Sequence, residues 1–472
     1  MLIEGAERPS LNVLTERREG ISQPPAKYRT VKRLRIQPTD PFSAHEIPHA
    51  LLASQVTKKT LKNGLTVLVK EVYPASVVCL SLWAKVGSCH EEDDRAGISH
   101  FVEHMLFKST ENRPAGRIAQ EIHGLGGYIN GFTSYDCTCY WIVLPSAYFT
   151  TALEIQADAV RNPLFQPLEV EKEGSVIIEE IKMYQDKPEA FCYEKLMSLA
   201  FRRHRYRRPI AGSEDVVASL TCEDLVEFYN AYYRPNNMAV VVVGDVTTEK
   251  ALKAVKRYFG GMVPADILVN PSPPEPSQRS RRSRSYSGDI RSSHLQMGFH
   301  VGGIFHPETH ACDLLASILG EGRSSRLHQS LREKNALVTG ISSSILAERE
   351  EGLFIIEAAM AGKNMKEASR VILEEVEAVR DRGVTPYELE KAKNMVESSY
   401  IFSQETVEGL CKKLGYYEMM GDYTLTDTYI QKLYDVTLDE IQAVARKYLV
   451  ERNLSLVEYT PRDVQPFTSI RQ

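Results

Sequence analysis

The chain has 472 residues, of which 43% are hydrophobic and 25% charged, with a formal net charge of −5. That length allows two or more domains with separate cores, and the acidic balance excludes a nucleic-acid protein governed by overall charge. No apolar run approaches the roughly 20 residues of a membrane-spanning helix; the longest strong one, Met238 to Val243, suits a strand.

Residues 1–55 are polar, Pro-bearing and aperiodic, and read as an extension or docking arm. Their opening, "MLIEGAERPSLNVLTERREG", lacks the apolar core of a signal peptide, and its acidic residues fit a mitochondrial transit peptide poorly. A cytoplasmic location is expected, with the mitochondrial matrix as the alternative. The eight cysteines are irregularly spaced. Only Cys137 and Cys139 lie close, on opposite sides of an expected strand, so all are read as reduced packing residues.

From Leu61 the pattern becomes regular. Leu65 to Val72 and Val77 to Val86 read as strands, the latter with Val78, Leu80, Leu82, Ala84 and Val86 on one apolar face. A helix carrying "SHFVEHML" (99–106) follows, then another through Ile118 to His123. "GLGGYINGFTSYDCTCYWIVLP" (124–145) reads as a Gly-led turn and strand pair. Two helical segments run to about Leu199. A strand over 237–246 and a helix to Tyr258 close a first domain, residues 56–263.

Residues 264–293 are rich in Pro, Ser and Arg and read as a linker. Its arginines (279, 281, 282, 284) are assigned to a solvated hinge. The run "RRHRYRR" (202–208), with Arg202, Arg203, Arg205, Arg207 and Arg208 around Tyr206, offers phosphate contacts, but the acidic total charge favours a solvated face and no nucleic-acid partner. His90, His123, His204, His300 and His328 have no partner spacing and read as structural or exposed.

After the linker the text repeats, over residues 294–462. "TCEDLVEFYNAYYRPNNMAVVVV" from Thr221 aligns with "TLDEIQAVARKYLVERNLSLVEY" from Thr437, placing Asn237 on Asn453 at an offset of 216. "PLEVEK" (167–172) meets "PYELEK" (386–391) at 219. Two copies of one domain are implied, each an antiparallel sheet packed with helices in the α+β class.

His100, Glu103 and His104 sit among apolar neighbours, where three unpartnered polar groups would cost several kcal/mol. In the second copy the matching stretch, "LASIL" (315–319), holds Leu315, Ile318 and Leu319, so the fold does not need those groups. Histidines at i and i+4 form a chelate suited to a tetrahedral metal such as zinc, and the adjacent carboxylate is placed to take a proton from metal-bound water. The pattern H-x-x-E-H inverts the commoner H-E-x-x-H. A third ligand is required. In "EVEKEGSVIIEEIKMYQDKP" (169–188), Glu173, Val176, Ile177 and Glu180 share a face, the two carboxylates ~10 Å apart along the axis. Their counterparts are Ala392 and Ser399, so these carboxylates vanish where the histidines vanish. Glu169, Glu171 and Glu179 read as solvated.

These residues resemble the pitrilysin/insulinase-type zinc metallopeptidases, in particular their short mitochondrial-processing-peptidase-like branch. The resemblance spans about residues 55–460 and rests on "GISHFVEHMLFKST" (97–110), the Glu173–Glu180 helix, "LGGYINGFTSYDCTCY" (125–140) and "GRSSRLHQSLREKNALV" (322–338). It implies a zinc metalloendopeptidase with one Zn2+ per chain held by His100, His104 and Glu180. The catalytic carboxylates would be Glu103, as the general base, and Glu173, which would orient a ligand histidine or stabilise the site. It further implies an extended or unfolded peptide substrate, bound as an added strand near Asn130, Gly131, Phe132 and Thr133, within a chamber formed by two subunits. The family's substrate clamp pairs an Arg with a Tyr seven residues on; here Arg332 is followed by Thr339. A heterodimer with a paralogue supplying the Arg/Tyr pair is therefore expected, with a homodimer as the alternative. A non-catalytic structural subunit of the same fold predicts loss of the ligands, which are intact.

Overall fold

A computed structural model describes residues 55–268 and 271–462; the arm expected over residues 1–55 lies, but for its last residue, outside them. The first half runs β1 (Thr57–Thr60), β2 (Thr66–Glu71), β3 (Val77–Ala84), α1 (Ile98–Met105), α2 (Arg117–Gly124), β4 (Tyr128–Thr133) and β5 (Thr138–Pro145). It continues through α3 (Phe149–Arg161), α4 (Pro167–Asp186), α5 (Pro188–Ala200), α6 (Glu214–Ser219), α7 (Cys222–Tyr232), β6 (Met238–Gly244) and α8 (Thr248–Phe259). The second half opens with β7 (Arg282–Gly288), β8 (Ser293–Gly302), α9 (Thr309–Gly320), β9 (Gly340–Ala347) and β10 (Glu351–Met360). The helices α10 (Met365–Arg382), α11 (Pro386–Phe402), α12 (Val407–Met420), α13 (Leu425–Asp435) and α14 (Leu438–Tyr448) lead to β11 (Leu454–Pro461).

Each half builds one sheet, in the orders β1-β2-β6-β3-β5-β4 and β7-β11-β8-β10-β9. The sheets are mixed rather than wholly antiparallel, because β2 runs parallel to β6 and β7 parallel to β11. Geometry requires this. β6 inserts between β2 and β3, which run in opposite directions, so it must be parallel to one of them. The 216-residue offset also carries Thr66, Val77 and Met238 onto Arg282, Ser293 and Leu454, the first residues of the paired strands. The repeated asparagine does the same work twice. Asn237 donates to the carbonyls of Lys85 and Tyr232, and Asn453 to those of His300 and Tyr448.

The halves exchange a helix. α5 leaves the first half and lays Cys192, Leu196, Met197 and Ala200 against Leu353, Ile355 and Val457 of the second sheet. Its counterpart at the 219 offset, α12, places Cys411, Leu414 and Met420 against Cys79, Trp83, Cys139 and Val241 of the first. Both faces of β3 are thereby buried: even positions Val78 to Ala84 face the first half's own helices, and Cys79 and Trp83 face α12. Each Val or Leu among these side chains contributes about 1.5–3 kcal/mol on withdrawal from water.

Three expectations need correction. The stretch read as a linker over 264–293 contains β7, whose Arg282 and Tyr286 pack on α5 while its serines point away; charge masks the alternation. The basic run 202–208 is no solvated face. Tyr206 is fully buried with its hydroxyl on Asp136 (2.8 Å), and buried Arg208 donates to the carbonyls of Ser88 and Glu91. Arg205 and Arg207 meet Glu92 and Asp93, leaving Arg202 and Arg203 exposed. These arginines satisfy loop carbonyls that no regular element pairs. Val176, placed on the apolar stripe of α4, is instead 52% exposed. The cysteines are free and, Cys222 apart, buried.

Candidate metal centre

α1 has no side-chain cap of its own. Gly97, at its N-terminus, adopts φ 101°, and a Cβ there would lie 2.6 Å from the Ala211 carbonyl, so glycine is required twice over. The unpaired first-turn N–H groups are met from outside the helix. Glu91 accepts from Gly97 N and Ser99 N, both at 2.8 Å. Burial pushes the Glu91 carboxyl up to about 7, against those hydrogen bonds and the Arg208 charge. Arg208, through the Glu91 and Ser88 carbonyls, fixes the loop that delivers this carboxylate.

One turn apart on α1, His100 and His104 bring their Nε2 atoms to 3.3 Å. Across from them on α4, Glu180 Oε2 lies 3.5 Å from His104 Nε2 and 3.9 Å from His100 Nε2. The three donor atoms all fall within 4.8 Å of one another, the one such His/Cys/Asp/Glu triad among the described residues. Ligand atoms ~2.0–2.2 Å from a tetrahedral zinc stand about 3.3–3.6 Å apart. The donor set therefore fits zinc in kind and spacing.

Glu173 orients the second imidazole. Its Oε1 lies 2.8 Å from His104 Nδ1, and its Oε2 meets Lys108 Nζ at 2.5 Å. Desolvation opposes ionisation of Glu173, but the His104 and Lys108 hydrogen bonds outweigh it and hold the carboxyl below its ordinary range. Burial lowers His100 to about 3, with the His104 charge assisting, so its imidazole is neutral at pH 7. His104 also loses solvation, yet the Glu173 bond and neighbouring carboxylates lift it above its ordinary value.

Glu103 projects towards β4. Burial pushes its carboxyl up to about 7, opposed by Thr133, whose hydroxyl donates to Oε2 at 2.8 Å. Gly131 leaves room for the other oxygen: a Cβ there would sit 2.7 Å from Glu103 Oε1. Of the four residues expected at the substrate edge, Gly131 and Thr133 thus face Glu103. Asn130 is exposed, and Phe132 packs against Trp83 and Trp141 on the opposite side of the sheet, as strand alternation dictates. β4 pairs with β5 alone, so its outer edge has no strand among the described residues.

Arg332 is exposed in a π-helical turn (His328–Lys334), its guanidinium 3.5 Å from His328 Nε2. Thr339 spends its hydroxyl on the Ala359 carbonyl. Neither side chain's hydrogen bonds reach His100 or His104. In the second half, Leu315, Ile318, Leu319 and Ala392 are buried apolar residues and Ser399 is exposed. Sequence reasoning missed Glu91 and Lys108. Lys108 had a signal, lying four residues after His104; Glu91 sits in a loop and had none.

Residues 66–214 match the insulinase domain (peptidase family M16), and residues 219–396 match the domain described as the peptidase M16 inactive domain. A Rickettsia felis protein described as an uncharacterized zinc protease is 30% identical over 409 residues, covering 86% of this chain and 98% of that protein. A Bacillus subtilis protein of the same description, YmxG, is 28% identical over 84% of this chain and 96% of its own length. Among solved structures, a protease from Helicobacter pylori superposes with a TM-score of 0.82 at 28% identity, covering 86% of this chain and all of that one. A Pseudomonas fluorescens peptidase M16 inactive domain shares the fold at 20% identity (TM-score 0.79; 87% of this chain and 100% of that one). No helix among the described residues is long and apolar enough to cross a membrane.

Proposed function

The chain belongs to the insulinase family of peptidases, family M16, and from that premise we propose that it is a zinc-dependent endopeptidase acting on extended or unfolded peptides. The observation that carries this reading is the convergence of His100 Nε2, His104 Nε2 and Glu180 Oε2 beside the Glu103 carboxyl. A zinc ion held by those three residues would supply Lewis acidity towards a peptide carbonyl and a water acidified to near neutrality. Glu103 then serves as general base, accepting a proton at the oxygen beside Gly131 and returning it to the leaving amine. Thr133 fixes the other oxygen, and Glu173 with Lys108 holds the His104 ring in place. The open edge of β4 offers an extended peptide a strand partner beside Glu103.

Among the described residues the second half contributes no ligand, and Thr339 is too short, and already bonded to Ala359, to stabilise a substrate oxyanion as a phenol would. On this ground we assign the chain to a two-subunit enzyme whose partner, a paralogue bearing an Arg/Tyr pair, completes the chamber. Full activity of the purified chain alone, with no gain on adding the paralogue, would refute the partner. For the chemistry, wild type and Glu103→Gln are compared by metal analysis and peptide hydrolysis. Zinc retained with hydrolysis abolished supports the base assignment, and equal activity in both refutes it.

A further inference from the structure

Among the described residues, the second sheet is one strand narrower than the first. β1 borders β2 in the first half, whereas β7, the counterpart of β2, has no strand on its outer side. The 216-residue offset carries Thr57–Thr60 of β1 onto Pro273-Pro274-Glu275-Pro276. Proline has no N–H to donate and is excluded from paired strand interiors, so this tetrapeptide cannot repeat the β1–β2 ladder. It is held elsewhere: the Glu275 carboxylate accepts from the N–H groups of Arg202, Arg203 and His204, the closest at 2.8 Å, just beyond the end of α5.

Beside β7 the fold leaves a cavity of about 550 Å3, lined by Lys195, Arg202, Arg281, Arg282 and Arg284 and by no Asp or Glu. Arg282 is buried and donates to the carbonyls of Leu199 and Ala200. Arg281 meets Glu451 only at 4.0 Å. The side-chain cations of Lys195, Arg202 and Arg284 have no carboxylate within 4.0 Å among the described residues, whereas Arg282 lies 3.9 Å from Glu275. Several like charges in one recess focus a positive potential. A second copy of this edge is a poor occupant, because pairing would set Arg against Arg.

We propose that this recess is a docking site for an extended acidic segment of a partner protein, which adds to β7 as the missing outer strand. The unpaired main-chain groups of β7 supply the ladder. Arg282 and Tyr286 reach α5, and Arg284 shares their parity, so carboxylates at alternate positions of the incoming segment meet Arg284, Lys195 and Arg202. The site lies at the edge of the second sheet opposite β9 and does not depend on the peptidase reading.

The probe is a fluorescein-labelled peptide of about ten residues alternating Glu and Val, the upper length of an ordinary strand. It is titrated against the full chain by fluorescence anisotropy at low ionic strength. Saturable binding is expected, weakened about tenfold or more in the Arg281→Glu/Arg284→Glu double variant, whose positions are exposed. N-methylation of alternate amides should weaken binding comparably, and a Lys-Val peptide should not bind. Absence of binding, or binding indifferent to the double variant, overturns the site. Displacement by tripolyphosphate with no effect of N-methylation overturns strand addition in favour of a simple anion patch. A change of oligomeric state in the double variant without peptide binding overturns the acidic partner in favour of a second copy.

Discussion

One added methyl group separates the task of Glu103 from the stability of the fold. In Gly131→Ala the new Cβ would lie 2.7 Å from Glu103 Oε1 and 3.3 Å from the Cys139 carbonyl. Carbon–oxygen contacts of this kind settle near about 3.3–3.6 Å, so the carboxylate must retreat by roughly 0.6–0.9 Å. It ends a flexible side chain and can do so at a folding cost below about 1 kcal/mol. Its other oxygen is tied to Thr133 at 2.8 Å, so the retreat strains that bond and moves the base off its station. A displacement approaching 1 Å is worth up to about 100-fold in rate. We expect kcat/KM for a quenched-fluorescence peptide to fall roughly 10- to 100-fold, or ~1.4–2.7 kcal/mol. Zinc content and the thermal midpoint should stay near wild type. Full activity in Gly131→Ala, or a loss that tracks zinc content or unfolding, would refute the placement of Glu103 against β4.

Glu173→Gln keeps the shape but removes the charge that holds His104 and Lys108, and zinc affinity by chelator competition should drop about 10- to 100-fold; unchanged affinity would deny Glu173 its orienting part. Glu91 titrates higher folded (about 7) than unfolded (near 4.3), so its contribution favours folding below the lower value and is lost as pH rises through the upper. That span is worth up to about 4 kcal/mol, so the urea stability of wild type relative to Glu91→Gln should decline between pH 5 and 8; parallel curves would contradict a buried carboxyl. Leu414→Ala removes an α12 side chain that is 1% exposed against the first sheet and should cost about 2–5 kcal/mol in urea, whereas a cost below 1 would mean α12 is not packed there.

What the sequence displayed, and what it hid, follows from how far each interaction reaches along the chain. The duplication was legible because local devices recur: Thr221 and Thr437 each open a capping box, and Asn237 and Asn453 each bond a carbonyl five residues back. The chelating pair was legible because i and i+4 share a helix face. β7 was hidden, since a strand that alternates Arg and Ser does not look like one. So was the clasp of Arg208 on Ser88 and Glu91, whose partners lie 120 and 117 residues apart. The exchange of α5 and α12 was hidden because an amphipathic helix does not record which sheet it covers. One trace of it stood in the text. Trp83 and Cys79 interleave with the even apolar positions of β3, and a strand apolar on both faces must be covered twice.

That exchange gives the ligand-free half a part in the site. β4 presents Gly131 and Thr133 to Glu103 on one face, and on the other its Phe132 leans on Trp83 and Trp141. α12 backs this second face: Lys412 lies 4.4 Å over the Trp141 ring, Cys411 meets Ser81 at 3.1 Å, and Glu408 accepts from the Tyr128 hydroxyl at 2.5 Å. Without α12 the aromatic face of the first sheet would meet water and β4 would lose its support from behind. The strand that faces Glu103 is therefore fixed from both sides, by α1 in its own half and by a helix from the half without the His/Glu triad.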